Sequence, residues 1–202
     1  MVAAAPAAWA EGDGGWWLLD SGSWRWVDAS TETPYAVAVF GGEGTELNLS
    51  DTLQKLFDFQ GSSDRLLAVS GTRELAWFRD DLSIEAEAMY GYHYGREVYH
   101  EVAATLYARW HAFPWNEYLV TSFAVGVGPS YTTIYPELEL QDDPDNRSRL
   151  LNQFNLELTV AMPHYPTTSL LVRLQHRSGF FGMLGGVGDA SNFLTIGLRQ
   201  DF

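Results

Sequence analysis

Leu170–Phe202, LLVRLQHRSGFFGMLGGVGDASNFLTIGLRQDF, reads as a strand, a glycine-rich loop and a closing strand. Side chains on a strand alternate between its two faces. Leu170, Val172, Leu174, His176 and Ser178 therefore share one face, and Ser169, Leu171, Arg173, Gln175 and Arg177 share the other. A histidine and a serine extend an aliphatic stripe, spaced by two residues, or roughly 6.6 Å of strand. An imidazole spans that gap to a hydroxyl, which is what a nucleophile and its general base require.

Working back from this stretch, the same period of two recurs. Leu82, Ile84, Ala86, Ala88, Tyr90, Tyr92 and Tyr94 alternate with Ser83, Glu85, Glu87, Met89, Gly91 and His93. Val98, Val102, Ala104, Leu106, Ala108 and Trp110 oppose Tyr99, Glu101, Thr105, Tyr107 and Arg109. Leu119–Tyr131, Leu150–Met162 and Asn192–Phe202 follow the same rule. Leu66–Asp80 is irregular, because Arg73 falls on the face of Leu67, Val69, Leu75 and Trp77, which predicts a bulge or a change of register. With Tyr35–Phe40 as the first, the expected strands make an all-β, eight-stranded antiparallel up-and-down transmembrane barrel over residues 35–202.

An even strand count puts both chain ends on one side. Short connections at Asp80-Asp81, Phe113–Tyr118 and Pro163–Thr167 belong to one rim. Longer ones at Gly44–Arg65, Thr132–Arg149 and Gly179–Ser191, with the tight Gly95-Arg96 turn, belong to the other, the outward rim of an outer-membrane barrel. His176 and Ser178 lie at that rim. Leu156, Leu158, Leu194, Ile196 and Leu198 are expected to face lipid. Glu85, Glu87, Glu101, Glu157, Arg109, Arg173 and Arg199 are expected to face inward as a paired polar plug in place of a hydrophobic core.

Composition agrees. The chain has 202 residues, no cysteine and a formal net charge of -14, with Lys55 its only lysine. That balance excludes nucleic acid as a partner, since the phosphate-neutralising surface that such binding demands is missing. No apolar run approaches the roughly 20 residues of a spanning helix, so a membrane would be crossed by strands. Residues 1–34 form an N-terminal segment in which Ala8-Trp9-Ala10 fits the end of an export signal, followed by a tryptophan-rich peripheral stretch. In the Gly44–Arg65 excursion, Asp51 is positioned to cap a short helix with Gln54 three residues on; Leu53, Leu56 and Phe57 form its apolar face. Asp142-Asp143-Pro144-Asp145-Asn146 lacks the glycine and glutamate of a calcium loop and reads as a solvated acidic loop. His93, His100, His111 and His164 show no metal-ligand spacing, and neither metal nor organic cofactor is expected.

His176-Arg177-Ser178, the glycine-rich Gly179–Gly188 loop and the closing strand SNFLTIGLRQDF resemble the lipid A 3-O-deacylase (PagL) family of outer-membrane barrels, which includes members labelled acyloxyacyl hydrolases. The resemblance implies a bacterial outer-membrane esterase that removes an acyl chain from lipid A, with Ser178 as nucleophile and His176 as base. Lipopolysaccharide of the outer leaflet, membrane lipids and the barrel assembly machinery are then its partners. The closing strand, with Gly197 and terminal Phe202, also resembles the assembly signal of such barrels. The family has asparagine after the serine where this chain has Gly179, and its histidine-orienting glutamate falls on Asn192 when counted from the C-terminus. Asn192 shares the parity of Leu194 and Ile196, whereas Asp189 has the charge; both stand as candidates for the third residue. Gly179 and the loop glycines are the expected oxyanion donors through backbone N–H groups. The alternatives are a non-catalytic structural or adhesive barrel, and a soluble lipid-binding barrel, which the inward glutamates and arginines argue against.

Overall fold

The computed structural model describes residues 24–27, 33–55, 58–140, 147–179 and 186–202, without the side chains of Leu140 and Asp189. The export-signal stretch, Trp16, Trp17, Leu56, Phe57, the whole acidic run and the middle of the glycine-rich loop lie outside those residues.

The strands are β1 (Trp24–Trp26), β2 (Tyr35–Thr45), β3 (Arg65–Phe78), β4 (Leu82–Tyr94), β5 (Tyr99–Trp110), β6 (Val120–Thr132), β7 (Leu150–Ala161), β8 (Thr168–Ser178) and β9 (Asp189–Asp201). Each strand from β2 to β9 pairs antiparallel with its chain neighbour, and β2 also pairs with β9. Eight strands thus close on themselves. At the seam Tyr35 and Phe202 exchange two backbone hydrogen bonds of 3.1 and 2.8 Å and their rings stack. Closure removes the exposed edges that a sheet in lipid could not satisfy.

Parity sorts the wall as the period of two predicts. Glu85, Glu87, Glu101, Glu157, Arg109, Arg173 and Arg199 are all buried inside. Leu158, Ile196 and Leu198 are exposed on the outer wall, with Leu156 and Leu194 half-exposed. Tyr90, Tyr92, Tyr94 and Tyr131 mark the upper edge of the apolar band, and Trp110, Trp115, Tyr118 and Phe202 the lower, the aromatic girdles of a membrane barrel.

The polar interior is a connected network. Arg109 bridges Glu85 at 2.8 Å and Glu157 at 2.6 Å; Arg173 bridges Glu87 and Glu157 at 2.6 and 2.5 Å; Arg199 reaches Glu85 at 3.2 Å. Within this cluster three carboxylates face three guanidiniums, so their charges balance, which is the condition under which buried ions are tolerated. The plug does not fill the whole barrel, however. Phe40, Leu66, Met89, Leu171 and Phe193 form an apolar cluster alongside it, with Arg173 lying 4.4 Å over the Phe40 ring. The expectation of a polar plug in place of a hydrophobic core is corrected: the two stand side by side, because inward parity selects which residues face in and does not require all of them to be polar.

Three further details refine the sequence reading. β2 runs on to Thr45, through Gly41, Gly42 and Gly44. A Cβ on Gly42 would stand 1.9 Å from the Leu194 carbonyl oxygen, so glycine here permits close strand approach. The helix between β2 and β3, α1 (Leu49–Gln54), is capped by Asn48, whose side chain accepts from the Asp51 N–H at 2.8 Å. Asp51 therefore sits in the first turn, where its charge suits the helix dipole. Finally, β1 adds a short strand to β3 beyond the lower rim, and the anticipated irregularity of β3 is a register shift between Glu74 and Ala76.

Candidate active site

On β8 the outward residues begin exposed at Leu170 and become buried at Leu174 and His176, with Ser178 half-buried at the strand end. His176 faces Phe154 of β7 on one side and Asn192 of β9 on the other. Its Nδ1 lies 2.9 Å from the Asn192 Oδ1. The Asn192 Nδ2 donates to the backbone carbonyl of Leu47 at 2.8 Å, in the segment that leads from β2 into α1.

That second bond fixes the first. A carbonyl only accepts, so the amide must present Nδ2 to Leu47 and Oδ1 to the ring. Oδ1 only accepts as well, so Nδ1 carries the proton and the imidazole lone pair lies on Nε2. This is the tautomer a general base needs, and it is set by side-chain hydrogen bonds in the manner of an orienting third residue. An amide gives this orientation without supplying the charge that would stabilise an imidazolium.

Ser178 is opposite Asn152 on β7 and opposite Asp189 on β9, just past a register slip between Arg177 and Ser178. Asp189 is thus placed by its backbone, whereas its side chain is outside the described residues. Gly179 is buried, and its N–H donates to the Gly188 carbonyl at 3.0 Å, closing the neck of the glycine-rich loop. That donor is committed within the protein.

The inward face of the same strand end is tied down. Arg177 donates to Ser130 at 3.0 Å, lies 3.5 Å from Glu101 and pairs with Glu139 of α2 (Glu137–Leu140), which enters the barrel mouth. Burial pushes the Glu139 carboxyl above its usual range, and Arg177 pulls it back down. Gln175, one residue before His176, donates to Glu101 at 3.1 Å. His176 and Ser178 are therefore mounted on a strand whose alternate side chains are anchored inside.

Sequence reasoning brought His176, Ser178 and Asn192 to one face. It missed the Leu47 carbonyl, which no local pattern marks. It also missed Asn152, whose outward parity with Phe154 and Leu156 was readable but whose register against Ser178 was not. A second serine-histidine contact, Ser83 to His111 at 2.9 Å, lies at the opposite rim. Ser83 is fully buried there and the His111 ring packs 4.6 Å from Trp77, so this pair is part of the packing.

No known protein-family signature matches the chain, and no curated protein matches it by sequence. Among solved structures it is similar to the outer-membrane enzyme PagL, with a TM-score of 0.58 and 13% identity over 83% of this chain and 99% of that one. It is also similar to Neisserial surface protein A (NspA), with a TM-score of 0.52 and 12% identity over 83% of this chain and 96% of that one. At these identities the likeness is one of fold: the chain is an eight-stranded β-barrel of the outer-membrane kind.

Proposed function

We propose that this outer-membrane barrel is a carboxylic ester hydrolase acting on an acyl ester of lipid A or a closely related lipid, in the manner of a lipid A 3-O-deacylase. The observation that carries the reading is the bonded run from the Leu47 carbonyl through Asn192 to Nδ1 of His176, with Ser178 on the same lipid-facing stripe. A polar chain of this kind on the outer wall is expensive to maintain unless it works on something in the membrane.

In this reading Nε2 of His176 takes the proton of Ser178 as its oxygen attacks the acyl carbon. The resulting imidazolium returns that proton to the departing alcohol, and water repeats the cycle on the acyl-enzyme. An outward site near the upper rim meets an outer-leaflet lipid without withdrawing it from the membrane. Arg147 and Arg149 support an anionic lipid: both are exposed, both lie over the Tyr135 ring at 5.3 and 4.9 Å, and they lead into the strand opposite Ser178.

A non-catalytic surface barrel is the second reading, favoured by one feature, the amide of Asn192 where a carboxylate would serve catalysis better. Mass spectrometry of lipid A from cells expressing the wild type and Ser178→Ala separates the two. A lipid A species lighter by one acyl chain, present with the wild type and absent with the variant, supports the hydrolase. Identical lipid A from both favours the surface barrel.

A further inference from the structure

We infer that the side-chain amide of Asn152 is the oxyanion donor of the Ser178 site, a role that rests on the ester-hydrolase reading above. Acyl transfer needs hydrogen-bond donors aimed at the position the carbonyl oxygen takes as it becomes anionic. The obvious backbone donor, the N–H of Gly179, already bonds the Gly188 carbonyl at 3.0 Å. With that N–H engaged, the register of β7 against β8 supplies another donor.

Asn152 is the direct cross-strand partner of Ser178. Directly opposed residues on one face have Cβ atoms about 4.5–5.5 Å apart, and the oxyanion of a tetrahedral intermediate is two bonds from the serine oxygen. An asparagine amide bridges that interval. On its other side Asn152 is paired with Pro129 of β6, which has no polar side chain and no N–H to compete. Along its own strand its outward neighbours are Leu150 and Phe154. Ser178 is therefore the polar group it faces.

The other asparagines of these strands are accounted for. Asn155 points inward, donates to Tyr107 at 2.6 Å and accepts from Gln153 at 3.2 Å. Asn192 is satisfied at both side-chain atoms. Asn152 alone, half-buried on the lipid-facing wall, has no hydrogen-bond partner for its side chain among the described residues. An amide left open between Leu150, Phe154 and Pro129 loses solvation with no return inside the protein. A ligand oxygen at Ser178 gives it one.

The step balances as follows. The Ser178 oxygen bonds the acyl carbon while its proton passes to Nε2 of His176, and the carbonyl π pair moves onto oxygen, where the Asn152 Nδ2–H donates to it. The pair then re-forms the carbonyl, the bond to the sugar oxygen breaks, and His176 protonates that oxygen as it leaves.

The test uses the full chain refolded in detergent micelles, with hexa-acylated lipid A as the probe and released fatty acid quantified by mass spectrometry. Wild type, Ser178→Ala, Asn152→Ala and Asn152→Asp are compared, each first shown to be folded by heat-modifiable migration. Asn152→Ala is expected to lower kcat by about 10²–10³ with KM changed only a few-fold, the signature of a group that acts in the transition state. Asn152→Asp keeps the shape, removes the donor and adds a negative charge, so it is expected to lose at least as much; a purely structural role would be largely preserved by it. Wild-type kcat in a folded Asn152→Ala or Asn152→Asp, with Ser178→Ala inactive, overturns the role of Asn152 and leaves the hydrolase standing. No release by the wild type, or undiminished release by Ser178→Ala, overturns both.

Discussion

Replacing Arg173 with methionine removes one guanidinium from the centre of the barrel, and the structure shows where the loss falls. Arg173 makes two bonds to Glu87, at 2.9 and 2.6 Å, and two to Glu157, at 2.8 and 2.5 Å. Glu157 keeps Arg109 at 2.6 Å, whereas Glu87 is left with the Tyr107 hydroxyl at 3.2 Å. The variant buries one uncompensated carboxylate, a loss of about 3–5 kcal/mol. Glu87→Gln alone leaves the opposite excess, three guanidiniums facing two carboxylates, and is also destabilising. The double variant returns the network to two of each, so it is expected to be more stable than Arg173→Met alone by roughly 2–3 kcal/mol. Urea unfolding of the barrel in lipid vesicles, followed by tryptophan fluorescence, measures the cycle. If the double variant is as unstable as the two single losses added together, charge balance is not what the plug supplies, and the interior must be explained by packing of Arg173 against Phe40 and Tyr107 instead.

Three other outcomes are expected. Asn192→Ala removes the acceptor that sets the His176 tautomer, and one hydrogen bond to a group that becomes charged corresponds to a loss of about ten- to a hundredfold in ester cleavage; a pH–rate study of the folded variant that finds wild-type turnover refutes the orienting role. His111, outside the strands, is held down to about 4 by burial and then by Arg109. Its folded value lies below its unfolded one, so its contribution to stability is present above about pH 6.5 and fades as pH falls toward 4, a change on the order of 3 kcal/mol. Urea midpoints at pH 7.5 and 4.5 should therefore converge for His111→Asn relative to wild type, and an equal acid loss in both removes His111 as the cause. Gly197→Ala places a Cβ 2.2 Å from the Val39 carbonyl oxygen across the β2–β9 seam. A backbone atom there cannot yield without parting the strands, so the heat-modifiable folded form should diminish sharply, and an undiminished one contradicts the close approach.

The barrel was legible because one physical rule, alternation against a two-solvent wall, acts on every strand. Glu85 and Glu87 inward with Ala86 outward is the same statement as a charge kept from lipid. Where a second strand decides the outcome, that rule is silent. The glycines at 41, 42 and 44 look like a strand end because β2 alone shows no pattern there, yet they are strand because β9 comes close. Phe40 and Phe193 obey inward parity while replacing polar groups with apolar ones, a choice settled by what fills the space beside Arg173. At the site, His176, Ser178 and Asn192 could be assigned to one face from parity. Bringing the Asn192 side chain to Nδ1, and setting Asn152 opposite Ser178, needed the register of three strands, which depends on the loops and bulges that join them.

The same alternation that built the wall also divides the labour of β8. Arg173, Gln175 and Arg177 reach inward and are bonded to Glu87, Glu157, Glu101, Ser130 and Glu139. Leu170, Val172, Leu174, His176 and Ser178 reach outward between them. Ordinarily the end of a membrane strand beside a long loop is among the first places to fray. Here each outward site residue is flanked along the chain by an anchored one, so the backbone carrying His176 is held by charge pairs on the far side of the wall. Behind the site stand both these ion pairs and the apolar cluster of Phe40, Leu171 and Phe193. The ion pairs resist the strand's displacement, and their mutual bonds offset part of the cost of burying them. Loss of an inner partner such as Glu101 should therefore loosen His176 and Ser178 together without touching either, whereas loss of an outer residue such as Asn192 should disturb the ring and leave the plug intact.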